Sequence, residues 1–585
     1  MQLISFERRG ITLIEALIAI ALLMIFSSGI YFGFQTVLNV TRNSQDRALT
    51  TALLNERAEF IRNLPYSSIG LLGGIPTGII LPTEQFVRNG QSFTIQNYIR
   101  NIDDPFDGLI SGSPNDTAPA DYKLVEMHAA CISCMNRTPT IFTFRVAPKG
   151  LESSSNNGSL FVNVLDENGD PISGANVTVV NDLASPPIAI ADITNLNGVL
   201  QVVDTPTGTQ AYKITVGKSG YSSDRTYTPG LPSNPNPNKA DASVDAQTLN
   251  DMYFQIAKLG TLTLNSSDSR CVAVPDTILN LDGTKLIGTS PDIKKYASTS
   301  ITNINGTVSV PLEWDTYALT LTDPVHYLAG IIPYGNNITI NPLDTLARQI
   351  IVTSPAPGAV LVNVLDAVSG APLIDATVTL EGGAVNSSFI TGYATASETN
   401  WSANYATHDG FMDPDSAPGF LMLLSSGEGY STSTWHWLIS NTIDFGASDV
   451  SLTALDYALS SLPAGTAVRF QLAANNDNAT WNFIGPDGTG GTFFTSTTTL
   501  SGFTNNRFLR YEVFFETSDA SATPQLDSVT FTFKGGCVPA SQTLFADLPS
   551  NNYTLTVNAL GHQQYQSVIA VGQSFQEVSA QLQPL

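Results

Sequence analysis

The chain is short of charge, cysteine and histidine, and each shortage removes a class of function. Of its 585 residues only 13% are Asp, Glu, Lys or Arg, about half the usual share of a globular protein. Ser, Thr and Asn must therefore supply most of the polar surface. Lys and Arg number 26 against 50 Asp and Glu, a net charge of −24. Nucleic acid is not expected as a partner, because phosphates need a basic counter-surface. The densest basic run, 285–295, supplies only three lysines, and single-stranded DNA would want a basic stripe with aromatics. Four cysteines are too few for a disulfide-built scaffold, so each domain must stand on its own apolar core. The five histidines, at 128, 326, 408, 436 and 562, are scattered along the chain. No nucleophile elbow, His-Glu-x-x-His helix or phosphate-cradling glycine loop accompanies them. Asp477, Asp487 and Glu512 could form an acidic pair for glycoside hydrolysis, but spacing does not join them. No enzymatic activity is expected.

What is present begins at the N-terminus. Residues 1–10 carry Arg8 and Arg9, and Ile11-Thr12-Leu13-Ile14-Glu15 leads into an apolar run that continues to Val40. No charge falls between Glu15 and Arg42. At about 1.5 Å per residue that span exceeds the roughly 30 Å hydrocarbon thickness of a bilayer. Arg8 and Arg9 hold the leading end in the cytoplasm. No small-x-small cleavage site ends the apolar run, so the helix is retained. Beyond it, Leu49, Leu53, Leu54, Ala58 and Ile61 form a stripe at helical spacing among charged residues, and Pro65 closes the helix. Glu15 is a carboxylate inside a membrane segment, where ionisable groups are functional by default.

Gly10 followed by an apolar residue, with Thr12, Leu13 and Glu15, resembles the prepilin processing motif of type IV pilins and pseudopilins. The resemblance implies cleavage after Gly10 by a prepilin peptidase and N-methylation of Ile11. Glu15, fifth in the mature chain, would meet the N-terminal ammonium of a neighbouring pilin subunit, and a buried carboxylate is tolerable when a cation meets it. Many pilins carry proline at the position held here by Phe32, so any local unwinding would rest on Gly29 and Gly33.

Residues 66–157 read as short strands around Gly/Pro turns and resemble the globular part of minor pilins. Asp103, Asp104 and Asp107 cluster there and could ligate calcium, or cap a turn through their own backbone. Cys131 and Cys134, outside the membrane, suit a local disulfide better than half a zinc site. Cys271 and Cys537 have no assigned partner.

From residue 158 the sequence repeats. Val162-Asn163-Val164-Leu165-Asp166 recurs at 362–366, and Thr194-Asn195-Leu196-Asn197-Gly198 has its counterpart at 302–306. A strand opening with Tyr appears at Tyr212, Tyr317 and Tyr553. A period near a hundred residues fits tandem sandwiches. These units resemble carboxypeptidase regulatory-like, transthyretin-related domains, which implies rigid stalk or adhesion modules. They are expected at 158–259, at 260–353, and in two pieces at 354–396 and 537–585. The interruption, 397–536, holds four of the five tryptophans and resembles a jelly roll. Trp435 and Trp437 share one face of a strand, with His436 on the other. The pair is expected to fill the core and would otherwise be free to stack on a ligand. Trp481 lies near a loop with Asp477 and Asp487 and is the better stacking candidate, with calcium a candidate bridge at those carboxylates.

The expected fold class is multidomain: a long N-terminal α-helix with an α+β pilin-like module, then all-β sandwiches with an inserted jelly-roll-like domain. The expected role is a minor pilin displaying adhesive or stalk domains, anchored in the membrane before assembly and reaching a surface glycan or protein. The alternative is a pseudopilin of a secretion or DNA-uptake machine.

Overall fold

The computed structural model describes residues 13–134, 138–149, 155–402, 404–415, 419–432 and 435–585. The chain folds as two compact units, Met1–Lys258 with Leu286–Ile293, and Leu259–Lys285 with Lys294–Leu585.

The first unit opens with a helix from Leu13 to Arg62, about 75 Å long at 1.5 Å per residue. Its two halves have different surroundings. The described large apolar side chains from Leu13 to Phe34 are exposed, whereas Leu53, Leu54, Ala58 and Ile61 are buried. The helix runs unbroken through Gly29, Phe32 and Gly33. Thr36 and Thr41 donate their hydroxyls to the carbonyls of Phe32 and Val37, at 2.8 and 2.9 Å, which satisfies polar groups within an apolar stretch.

The buried stripe of the helix packs on a four-stranded antiparallel sheet in chain order, Thr83–Arg88, Gln91–Ile102, Tyr122–Cys131 and Thr140–Val146. Ile95, Ile99, Val125, Met127 and Phe144 face it. Arg57 grips Glu84 with two nitrogens, tying helix to sheet edge. Lys123 is buried and donates to the carbonyls of Tyr66 and Ile69 at 2.8 and 2.6 Å. Burial lowers its ammonium to about 8. Cys131 and Cys134 form a disulfide at the sheet's end. The module meets the first sandwich through Arg100, which holds Asp192 by two bonds of 2.5 Å, and through Asn101, which donates to the Val203 carbonyl.

Three sandwiches share one topology. In each, the first strand pairs parallel with the last: Gly158–Leu165 with Leu249–Gln255, Gly260–Ser267 with Thr345–Thr353, and Val360–Asp366 with Gln576–Leu582. The recurring tyrosine is fully buried in all three. Its hydroxyl donates to a carbonyl four or six residues upstream, at Pro206, Glu313 and Pro549. This repeats the logic of a tyrosine corner, where a buried phenol must find a partner.

The recurring Thr turn is equally regular. Thr194 accepts from the Ala175 amide and Thr302 from the Thr277 amide. After each, an Asn caps the turn and Gly198 or Gly306 takes a positive φ of 72° or 69°. The next strand then pairs with the first strand of its sandwich. In the third sandwich Thr391 accepts from the Ala376 amide in the same way. The strand that follows there, Gln542–Phe545, comes only after the insert. The insert thus replaces one turn of the repeat. Its first strand, Tyr393–Glu398, pairs with Gln525–Lys534, so the expected entry at 397 moves back to the Thr391 turn. The run of small and polar residues from Ala394 to Asn400 hides the alternation of that strand.

The insert is a sandwich of two antiparallel sheets. Tyr393–Glu398, Gln525–Lys534, Ser451–Ser461 and Thr498–Thr499 form one. Tyr405–His408, His436–Ser440, Phe508–Thr517, Ile443–Asp444 and Thr466–Asn475 form the other. Trp401, Phe470, Tyr511, Phe515, Phe531 and Phe533 fill the space between them. Cys271, on a loop of the second sandwich, is disulfide-bonded to Cys537 just beyond the insert's last strand.

Candidate functional site

Two regions carry chemistry beyond stability. One is the uncovered half of the N-terminal helix. Leu13 to Phe34 would expose a broad apolar surface to water, which a soluble chain avoids. The helix is long and apolar enough to cross a membrane. Glu15 lies within it, while Gly10 and Ile11 fall outside the described residues.

Residues 6–31 match the family model of the prokaryotic N-terminal methylation motif. The chain is a type IV pilin-like protein. Its precursor is a single-pass membrane protein with the β-rich bulk outside the membrane, destined for a pilus or the cell surface. The motif implies prepilin peptidase processing and assembly with other pilins. Curated proteins give no match to the chain. Among solved structures it is similar to the Bacillus anthracis TIE protein, 9% identical over 86% of this chain and 72% of that one, with a TM-score of 0.15. It is also similar to a streptococcal ancillary pilin, 10% identical over 73% and 99% of the two chains, with a TM-score of 0.15. The shaft pilin SpaA of Lactobacillus rhamnosus GG aligns with 34% of this pilin-like chain, and with 99% of its own, at 12% identity and a TM-score of 0.14. Scores of this size leave the functional reading to the N-terminal motif.

The second region is the outer face of the insert. His436 is buried, while Trp437 is half-buried on the opposite side of its strand. This reverses the expected packing of Trp435 and Trp437. The core face is already filled by Leu438, Phe515 and their neighbours, and His436 is tolerated inside because its Nδ1 pairs with Asp409 at 2.7 Å and its ring lies against Phe411. The register sets Trp437, Phe514 and Arg469 side by side across three strands of this pilin-like subunit. Arg469 lies between the rings of Trp435 and Phe493, 3.5 and 3.6 Å from their centroids. Arg510 stacks on Trp481 at 4.5 Å and donates to Thr442, so one face of Trp481 is already occupied.

Four of the five carboxylates singled out for calcium are engaged in turns. Asp477 accepts from the amides of Ala479 and Thr480 and from the Thr480 hydroxyl. These bonds hold its carboxyl at about 2. Asp487 accepts from the hydroxyls of Thr492 and Thr489 and from the Thr489 amide, and is likewise lowered. Asp103 accepts from the Ile110 amide. Burial raises it to about 6, with Asp116, Asp121 and Asp107 adding repulsion. Asp104 accepts from the Phe106 amide, and Asp107 is exposed. Among the described residues no group of three or more His, Cys, Asp or Glu side chains is placed to hold a metal ion. Turn capping engages Asp103, Asp104, Asp477 and Asp487.

Sequence reasoning missed Arg469 and Arg510. The signal for Arg469 is a lone arginine inside an otherwise apolar alternation, Ala467-Val468-Arg469-Phe470, which is read more naturally as a solvated position.

Proposed function

We propose that the chain is a non-enzymatic minor subunit of a type IV pilus whose β-sandwiches serve as stalk and whose insert makes adhesive contact with a surface glycan. The division of the N-terminal helix carries this reading. Its first half is apolar and uncovered, as a segment needs to be that lies first in a bilayer and then among neighbouring helices. Its second half is fixed to the sheet by Leu53, Leu54, Ala58 and Ile61. A subunit so built presents whatever follows the sheet to the outside. The half-exposed aromatics of the insert supply the contact chemistry, since Trp and Tyr rings offer large rigid area at low entropic cost.

Glu15 is assigned to the ammonium of a neighbouring subunit and Ile11 to the mature, methylated N-terminus. Mass spectrometry of the N-terminus of membrane-extracted protein should find a chain beginning at Ile11. A mature start at Met1, or one beyond Phe26, would remove the pilus reading. Binding of the full chain to immobilised glycans and to cells tests the adhesive part.

A further inference from the structure

Arg469 differs from the arginines of the protein that are held by an acid. Arg57, Arg88, Arg100 and Arg507 each hold a carboxylate. The Arg469 guanidinium has no ion pair or hydrogen bond among the described residues. Its Nε is buried without a partner, and Glu516 acts on it only from longer range. Trp435 and Phe493 lie against its two faces. A guanidinium held between two rings keeps its plane fixed and leaves only its edge available, which is the edge that binds a carboxylate through two parallel bonds.

A cavity of about 640 Å³ is lined in part by Arg469 and bounded by Tyr457, Leu459, Pro486 and Thr492 as well as Trp435 and Phe493. This is within the usual size of a small-ligand site, with apolar walls and few polar groups. The Thr492 hydroxyl donates to Asp487, which leaves its lone pairs to accept from a ligand hydroxyl. An extended peptide is disfavoured here. The free edge of strand Thr466–Asn475 is already closed at its centre by backbone pairs of Phe470 with Phe494 and of Leu472 with Ile484, so only a short stretch before Phe470 remains for strand addition. Ring faces, hydroxyl acceptors and one fixed fork suit a sugar ring that bears a carboxylate.

We propose that this cavity binds an acidic sugar residue, a uronic or sialic acid, with Arg469 as bidentate donor to its carboxylate and the neighbouring rings packed on its apolar face. The proposal rests on the adhesive reading of the insert and narrows it to one ligand class.

The test uses the detergent-solubilised full chain on matched immobilised oligosaccharides, one bearing the acid and the other the same sugar reduced at the carboxyl to an alcohol. A fork of charge-assisted bonds should favour the acid by roughly 10- to 100-fold. Arg469→Gln should abolish that preference, while Arg469→Lys, which keeps charge but loses the fork, should retain only part of it. Equal binding to both sugars, or a preference that survives Arg469→Gln, overturns the inference and leaves glycan adhesion standing. Binding to no glycan overturns both, and binding to an acidic peptide instead overturns the ligand class. The acid-against-alcohol comparison needs no variant, so a misfolded Arg469→Gln chain would not leave the question open.

Discussion

Removing the Cys271–Cys537 bridge should destabilise the second unit and leave the first untouched. The two cysteines are 266 residues apart. Linking them takes loop-closure entropy from the unfolded chain, about 19 cal/mol/K for a loop of that length, or about 5–6 kcal/mol at 25 °C. The folded side is prepared for the bond. Asp268 accepts from the amides of Arg270 and Val272 at 2.9 Å, shaping the loop that carries Cys271. Gly535 and Gly536 take φ of 95° and 62°, turning the chain into Cys537. Gly446 lets the loop approach, since a Cβ there would lie 2.0 Å from the Arg270 carbonyl oxygen.

The second unit spans about 320 residues, so its unfolding entropy is about 0.7 kcal/mol/K. If it melts as one body, Cys271→Ser with Cys537→Ser should lower its transition by about 8 °C. Calorimetry on the detergent-solubilised full chain would show two transitions, of which only one moves. A double variant within about 2 °C of the parent in both transitions would refute the entropic account. So would an equal fall in both.

Three further outcomes are expected. Glu15→Ala should leave membrane insertion intact but reduce the protein several-fold in sheared filaments, because the neighbour's ammonium loses its counter-charge; wild-type amounts in the sheared fraction would contradict the assembly role. Arg100→Ala should cost about 3–5 kcal/mol in the first unit, since Asp192, whose side chain is only 6% exposed, would be left as an uncompensated charge; adding Asp192→Asn should recover much of it in a double-mutant cycle. Burial raises the Glu398 carboxyl to about 7, against the lowering effect of the hydroxyl donated by Tyr511. The folded state therefore holds that proton more tightly than the unfolded chain does. The resulting stability is complete below about pH 4.5 and is lost as pH rises through 7, a change of about 3 kcal/mol; Glu398→Gln should flatten the melting temperature over that range.

The helix was legible because a membrane segment and an amphipathic stripe are strong local signals, and a carboxylate so early in an apolar span is too costly to persist without a partner. The tandem sandwiches were legible because they repeat, and the tyrosine and threonine that recur turn out to hold the same hydrogen bonds in each copy. The outward turn of Trp435 and Trp437 was not. Alternation fixes which residues share a face but not which face is inside, and a histidine is an improbable core residue until Asp409 is seen beside it. The link between Cys271 and Cys537 was hidden for a related reason. A pairing across 266 residues depends on two loops from different sandwiches, and neither loop's local pattern contains the other.

The position of the insert and the position of that bridge explain each other. A domain inserted into a turn is joined by two adjacent strands, here leaving after Thr391 and returning at Gln542. Two neighbouring connections resist separation but permit rocking about the line between them. The disulfide adds a third attachment, from the insert's exit at Cys537 to the second sandwich at Cys271. Gln542 continues the brace. Its side-chain oxygen accepts from the Ile331 amide of the second sandwich at 2.7 Å, and its nitrogen donates to Asn363 of the third at 2.6 Å. Under the adhesive role proposed above, the insert would transmit force from a bound surface to a filament, and slack at its root would let that bond be loaded from changing directions. On that proposal, stiffness at the joint serves the contact as much as the fold. Loss of the bridge should weaken adhesion under shear before it weakens binding at rest, and equal losses in static and flow assays would show that the brace serves folding alone.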